Sequence, residues 1–337
     1  MNNRVFRIMS AAISTLILII SVTGCGQEQP KNQAIVSKKI TIGVGSGLFL
    51  SAIWIAENKG YFQEENLDLT IKKFASGKAS LLNMLDGGVD ISTSAPTPLV
   101  FTSFDRNDFL IFATFAYSDD NIKVIANKDK GINAAKDLKG KRIGIVSGSS
   151  TDFFLATYLA YNGLSESDIE LINISPSNLP NALYSGEVDT IAIWEPYAYN
   201  AQKLLGDKAM RLQSSEIYRE TFNLTVMRDF AQESPDVLKR LLKAIIRATT
   251  FINANREETQ RIVSEKLNID KALTIQLWDN YVFDVYLDQA LILTLEDEAR
   301  WAMKNKLTLK NKLPNYLDFI YPDALKATKP RAFSIIL

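Results

Sequence analysis

Three hydroxyl-bearing residues in a row, Ser149, Ser150 and Thr151, follow the apolar stretch Arg142–Val146 and open a helical pattern. Residues of this type at a helix start either cap its first N–H groups or join those groups and the helix dipole in holding an anionic or polar ligand group. Both roles stay open here. Asp152, in the first turn, is favoured by the dipole, yet it lowers the positive potential offered to an oxyanion. A counterpart, Gly45–Ser46–Gly47 with Phe49 close behind, ends the earlier stretch Lys39–Val44.

Further candidates stand where other strands should end. Phe74 and Ser76 follow Leu67–Phe74, Ser94–Ala95–Pro96–Thr97 follows Val89–Thr93, and Tyr117 closes the apolar run from Leu110. Trp194 either stacks on a flat ligand or fills a core. Glu195 either pairs with a cationic or N–H-bearing ligand group or accepts from backbone. With Asp152, it suits a ligand that has both donors and acceptors, such as a zwitterionic sulfonate or an amino-pyrimidine.

Composition removes whole classes of chemistry. The 337 residues include no histidine, the commonest general base near neutral pH and a common metal ligand, and a single cysteine, Cys25. Neither a metal site nor a cofactor is expected. Thirty-eight basic residues balance 38 acidic ones, so no nucleic-acid surface is indicated. The partner is a small molecule. No GxxxxGK[ST] phosphate loop is present.

The elements that would position these residues alternate between strand and helix, the pattern of a parallel sheet. Lys39–Val44, Leu67–Phe74 and Val89–Thr93 read as strands, with helices over Leu48–Lys59 and Lys78–Leu85 between them. The plan recurs in strands Arg142–Val146, Ile169–Ile174 and Val188–Trp194, with helices from Thr151 and Leu179. Gly43 and Gly144, Gly60 and Gly163, and Asp90 and Asp189 are each separated by about a hundred residues, the mark of an internal repeat. Two α/β lobes facing a cleft follow, because ligands of open parallel sheets bind beyond the carboxyl ends of strands. Leu110–Tyr117 and Asn121–Asn127 could carry the chain between lobes, and Thr221–Met227 reads as a return strand. Helices over Asp236–Asn253, Arg256–Leu267, Lys271–Tyr281 and Leu295–Leu307 complete the chain, and the stripe Leu238, Leu241, Leu242, Ile245, Ile246 marks a core-facing side.

Arg4 and Arg7 precede an apolar run, Ile8 to Val22, of the length of a signal-peptide core. Val22–Thr23–Gly24–Cys25 resembles the lipobox of bacterial lipoproteins, which implies cleavage before Cys25 and a lipid on it. Residues 1–24 are thus expected to be a signal peptide and 25–37 a polar tether. Residues 38–121 with 230–337 are assigned to lobe 1, and 122–229 to lobe 2.

The segments Ile53–Trp54–Ile55–Ala56–Glu57–Asn58–Lys59–Gly60–Tyr61–Phe62, Asp137–Leu138–Lys139–Gly140–Lys141–Arg142–Ile143–Gly144 and Trp194–Glu195–Pro196–Tyr197 are similar to those of the nitrate, sulfonate, taurine and thiamine-precursor binding proteins. The resemblance implies a type II periplasmic-binding fold and a solute-binding protein, not an enzyme. It also implies an ABC permease with its cytoplasmic ATPase as partner, an extracytoplasmic location and a monomer held to the membrane through Cys25. A pyrimidine or thiamine precursor is the alternative ligand. An enzyme on the same fold is the other alternative, but the synthases that resemble this group carry histidine and a site cysteine.

Overall fold

Glycine in the middle of an otherwise β-branched strand lets a helix pack directly onto it, and this device is used twice. The computed structural model describes residues 38–213 and 216–336. The expected signal peptide, Cys25 and the tether lie outside the described residues.

In chain order the first part comprises β1 (Lys38–Val44), α1 (Ser51–Asn58), α2 (Tyr61–Glu64), β2 (Leu67–Lys73), α3 (Gly77–Leu85), β3 (Ile91–Ser94), α4 (Pro96–Ser103) and β4 (Phe109–Ser118). Then come β5 (Ile122–Asn127), β6 (Arg142–Ile145), α5 (Ser150–Tyr161), β7 (Glu170–Asn173), α6 (Leu179–Ser185), β8 (Thr190–Trp194), α7 (Tyr197–Leu205) and β9 (Ala209–Leu212). The last part is β10 (Glu220–Met227), α8 (Arg228–Glu233), α9 (Pro235–Ala254), α10 (Arg256–Leu267), α11 (Lys271–Leu277), β11 (Tyr281–Val282), α12 (Gln289–Lys304) and α13 (Asp323–Thr328).

A six-stranded sheet has the order β11-β4-β10-β3-β1-β2, and a five-stranded sheet has the order β7-β6-β8-β5-β9. Each sheet has its own buried apolar cluster. The parallel triplets β2-β1-β3 and β7-β6-β8 are the repeat, and it extends to single hydrogen bonds. Asp90 accepts from Thr41 N at 2.7 Å and returns its own N–H to Thr41 O at 3.0 Å. Asp189 does the same with Arg142, at 3.0 and 2.9 Å. A Cβ on Gly43 would lie 2.6 Å from Ser80 Oγ of α3, and one on Gly144 would lie 2.6 Å from Leu179 Cδ2 of α6.

Three sequence-level boundaries shift. Glu220–Met227, assigned to lobe 2 with residues 122–229, pairs antiparallel with β3 and β4, so the chain is back in the larger sheet by Glu220. The helix expected over Lys271–Tyr281 stops at Leu277, because Tyr281 extends to pair with Ser118 at the sheet edge. The helix expected over Leu295–Leu307 starts at Gln289, where Asp288 caps it by accepting from Leu291 N. Along α9, Leu238, Leu241, Leu242 and Ile245 of the stripe are fully buried, and Ile246 is half-buried at its margin.

The chain crosses between sheets twice, and the crossings are laced together. Asp119 pairs with Arg219, Asp120 with Arg211 at the end of the smaller sheet, and Asn121 Nδ2 donates to Glu220 Oε2 at 2.6 Å. Tyr281 OH donates to Asn121 Oδ1 at 2.5 Å, which anchors this junction to the edge strand β11.

Candidate functional site

The carboxyl ends of β1, β2 and β3 face those of β6 and β8 across a small cavity. From the larger lobe it is lined by Ser46, Phe49, Ser76, Gly77, Lys78, Ala95 and Pro98, with Glu220 and Phe222 of β10. Ser149, Ser150 and Trp194 line it from the smaller lobe, and Asn121 at the crossing. Its volume is about 30 Å³, space for one or two waters. The lobes are closed on each other, and a larger solute enters only if they part.

Two helix N-termini open into this cavity from opposite lobes. Ser76 caps α3 by accepting from Ala79 N at 3.2 Å, and Ser149 caps α5 by accepting from Thr151 N at 3.3 Å. The first N–H groups of each helix have no partner within the helix, and both dipoles favour negative charge at the cavity. Of the two roles left open from sequence, capping is the one that the Ser149 side chain fills. Phe49 and Phe222 stack with centroids 5.0 Å apart and form an apolar wall.

Direct contacts bridge the lobes. Lys78 Nζ donates to Ser147 O at 2.7 Å, and Trp194 Nε1 donates to Ser46 Oγ at 3.3 Å. Gly47, at φ 94°, brings its α-carbon so close to Glu195 O that a Cβ would sit 3.0 Å away. Behind the cavity, Phe153 of α5 meets Trp301 of α12 edge to face at 5.4 Å.

The candidates separate into two groups. Ser46, Phe49, Ser76, Ala95, Ser149, Ser150 and Trp194 line the cavity. The others are not among its lining residues. Phe74 packs over Gly43, Ser94 Oγ donates to Ala95 O, and Pro96 begins α4. Thr97 is buried beside the Glu298 carboxyl, and Tyr117 lies under the Arg219 guanidinium, 4.4 Å from its ring centroid. Thr151 Oγ1 is held by Val146.

The two carboxylates singled out from sequence are tied to backbone. Asp152 accepts from Gly148 N at 2.5 Å; burial pushes its carboxyl up to about 6, while that N–H and the Lys78 charge pull it down. Glu195 accepts from Tyr199 N at 2.9 Å, and burial raises its carboxyl too. The carboxylate that does line the cavity is Glu220, which burial pushes up to about 7 despite hydrogen bonds from Ser150 Oγ at 2.5 Å and Asn121.

Glu220, Asn121, Lys78, Pro98 and Phe222 are therefore cavity residues that the sequence reading did not name as site candidates. Lys78 carries a faint signal, since a cation in the first turn of a helix opposes the dipole and calls for a reason. Glu220 offers little, because it stands just before an apolar strand and looks like its edge.

Residues 50–259 match the family described as NMT1/THI5 like. A protein of Bacillus subtilis (strain 168), provisionally named an aliphatic sulfonates-binding protein, is 28% identical over 276 residues, 80% of this chain and 81% of that protein. The alkanesulfonate-binding protein SsuA from Xanthomonas axonopodis pv. citri, solved bound to MOPS, superposes with a TM-score of 0.75 at 21% identity, covering 86% of this chain and all of that one. The desulfurization enzyme DszB has the fold as well, with a TM-score of 0.62 at 15% identity over 86% of this chain and 99% of its own. The fold is that of the periplasmic binding proteins, and by the match over 50–259 the chain belongs to the NMT1/THI5-like family.

Proposed function

We propose that this protein is the extracytoplasmic solute-binding component of an ABC importer, and that it captures a small sulfonate-like or zwitterionic organic solute by lobe closure. The observation that carries the reading is the convergence of the α3 and α5 N-termini, from opposite lobes, on one cavity. An anionic group held by both helices links the lobes, so binding shifts the population toward the closed form that a permease can read. The chain acts as a binding protein and not as an enzyme: no histidine or cysteine is among the residues that line the cavity, so it offers neither an imidazole nor a thiol nucleophile there. A lipid on Cys25 holds the monomer to the membrane, where the permease and its cytoplasmic ATPase receive the solute.

The test is a melting-temperature screen of the protein beginning after Cys25 against alkanesulfonates, aminosulfonates, nitrate and pyrimidines. A ligand that binds only the folded state raises the melting temperature with concentration. A sulfonate or aminosulfonate is expected to do so; a screen in which only pyrimidines act replaces the ligand assignment, and one in which nothing acts removes the reading. Cys25→Ser is expected to release the protein from the membrane fraction of its host.

A further inference from the structure

Glu220 is a carboxylate that the closed fold does not neutralise. The residue is 4% exposed and lines the cavity between the lobes. Its Oε1 accepts from Ser150 Oγ and its Oε2 from Asn121 Nδ2, one bond to each oxygen. An ionised carboxylate has about four lone-pair sites, so each oxygen keeps one for a further donor. Among the described residues no basic side chain pairs with it. A glutamine could accept from Asn121 through its oxygen and donate to Ser150 Oγ through its amide nitrogen, without the cost of a buried charge. The groups around it do not supply a cation either. Glu298 of α12, Tyr218 ahead of β10 and Tyr281 of β11 are acidic or neutral, and Lys78, on the opposite wall, already donates to Ser147 O.

This carboxylate sits beside Ser150, at the helix terminus that favours an anion. A simple oxyanion held there would face Glu220 as a like charge. A solute that carries both signs resolves the conflict.

We propose that Glu220 is the specificity-determining residue of the site, selecting solutes that bear a protonated amino group a short distance from their anionic end. The anionic end lies at the α3 and α5 N-termini and the ammonium on the free lone pairs of Glu220, with Phe49 and Phe222 beside it. This deepens the solute-binding reading above and rests on it.

Burial holds the Glu220 carboxyl near neutrality, at about 7, which gives the selection a direction in pH. Above that value Glu220 is ionised and the amino-bearing solute is preferred; below it the carboxyl is neutral and the preference fades. An alternative role, in which Glu220 serves only as a structural acceptor for Ser150 and Asn121, gives no dependence on the solute's amino group.

Calorimetric titration with two matched pairs, taurine against ethanesulfonate and homotaurine against propanesulfonate, separates these outcomes. For the wild-type protein at about pH 8, the amino-bearing member is expected to bind about tenfold tighter or more. The ratio should shrink toward one at about pH 5.5, and Glu220→Gln should hold it within about threefold of one at both pH values. Equal affinity for both members at pH 8, or a preference that survives in the glutamine variant, overturns the inference and leaves the solute-binding reading standing. If the variant does not fold, the wild-type pH series decides alone. If no probe binds at either pH, the sulfonate reading itself falls, and this inference with it.

Discussion

Lys78 Nζ donates to the Ser147 carbonyl at 2.7 Å and joins a helix of the larger lobe to the turn that follows β6 of the other sheet. The bond exists only while the lobes are together, so it contributes to closure and not to either lobe's own stability. Asp152 stands behind it, its carboxyl facing the lysine charge. Lys78→Ala is expected to weaken binding of a captured solute by about tenfold, the worth of one charge-assisted bond at a partly exposed site. The unliganded melting temperature should barely change. Calorimetry together with small-angle scattering of the free protein checks this, and a large loss of unliganded stability would place the lysine in the fold instead of the latch.

Gly148 passes directly beneath that lysine. Its φ of 72° is a left-handed conformation, and a Cβ there would sit 2.6 Å from Lys78 Nζ. Gly148→Ala is expected to cost roughly 1–2 kcal/mol from the backbone alone and to displace the ammonium as well. Both the unliganded melting temperature and solute affinity should fall, in contrast to Lys78→Ala.

Two buried carboxyls, Glu220 and Glu298, and the half-buried Asp152 give the protein an inverted acid response. Burial raises Asp152 to about 6, Glu220 to about 7 and Glu298 to about 8, well above the ordinary carboxylate range. Between the ordinary value and the raised one the folded state holds a proton that the unfolded chain has released, so stability falls as pH rises through this window. Carboxylates lowered by ion pairing, such as Asp189, act only below it. The melting temperature is expected to be higher near pH 5.5 than near pH 8.5. The Glu298 carboxyl accepts from Tyr218 OH and has Thr97 and the Glu220 carboxyl nearby, so Glu298→Gln should remove part of the decline and stabilise the protein at pH 8.5 by on the order of a few kcal/mol.

At the crossings, two substitutions a residue or two from the same junction should differ widely. The Arg219–Asp119 pair is more than a third exposed on both sides, and such pairs contribute about 1 kcal/mol or less. Asn121 is buried, and its side chain joins Glu220 and Tyr281 at once. Asn121→Ala removes the acceptor of Tyr281 OH and one of the two donors to Glu220, a loss of about 2–4 kcal/mol, while Arg219→Ala should cost about 1 kcal/mol or less. Denaturant unfolding of the two variants measures the difference.

The repeat was legible because its landmarks are backbone necessities. Gly43 and Gly144 admit a helix against the sheet, and Asp90 and Asp189 each close the same loop onto their neighbouring strand. Such requirements leave the same residue at the same spacing. The cavity was half legible for a related reason: Ser46, Ser76 and Ser149 stand where strands end, and strand ends can be read in order along the chain. Glu220 and Asn121 are distant in sequence and meet only because β10 inserts between β3 and β4. No local pattern announces an insertion of that kind. Asp152 and Glu195 are ambiguous in sequence because a carboxylate next to a helix start reads the same whether it accepts from a ligand or from Gly148 N and Tyr199 N.

The early return of β10 has a consequence for how such proteins diversify. With Glu220 already in the larger sheet, the smaller sheet is built from one uninterrupted run, Ile122 to Leu212, and its two ends lie side by side where Val124 pairs with Leu212. Ser149, Ser150 and Trp194 all belong to that run, while Glu220, Lys78 and Phe49 do not. One wall of the site can therefore be exchanged as a single cassette, by recombination or by design, against a chassis that keeps its carboxylate, its lysine and its aromatic face.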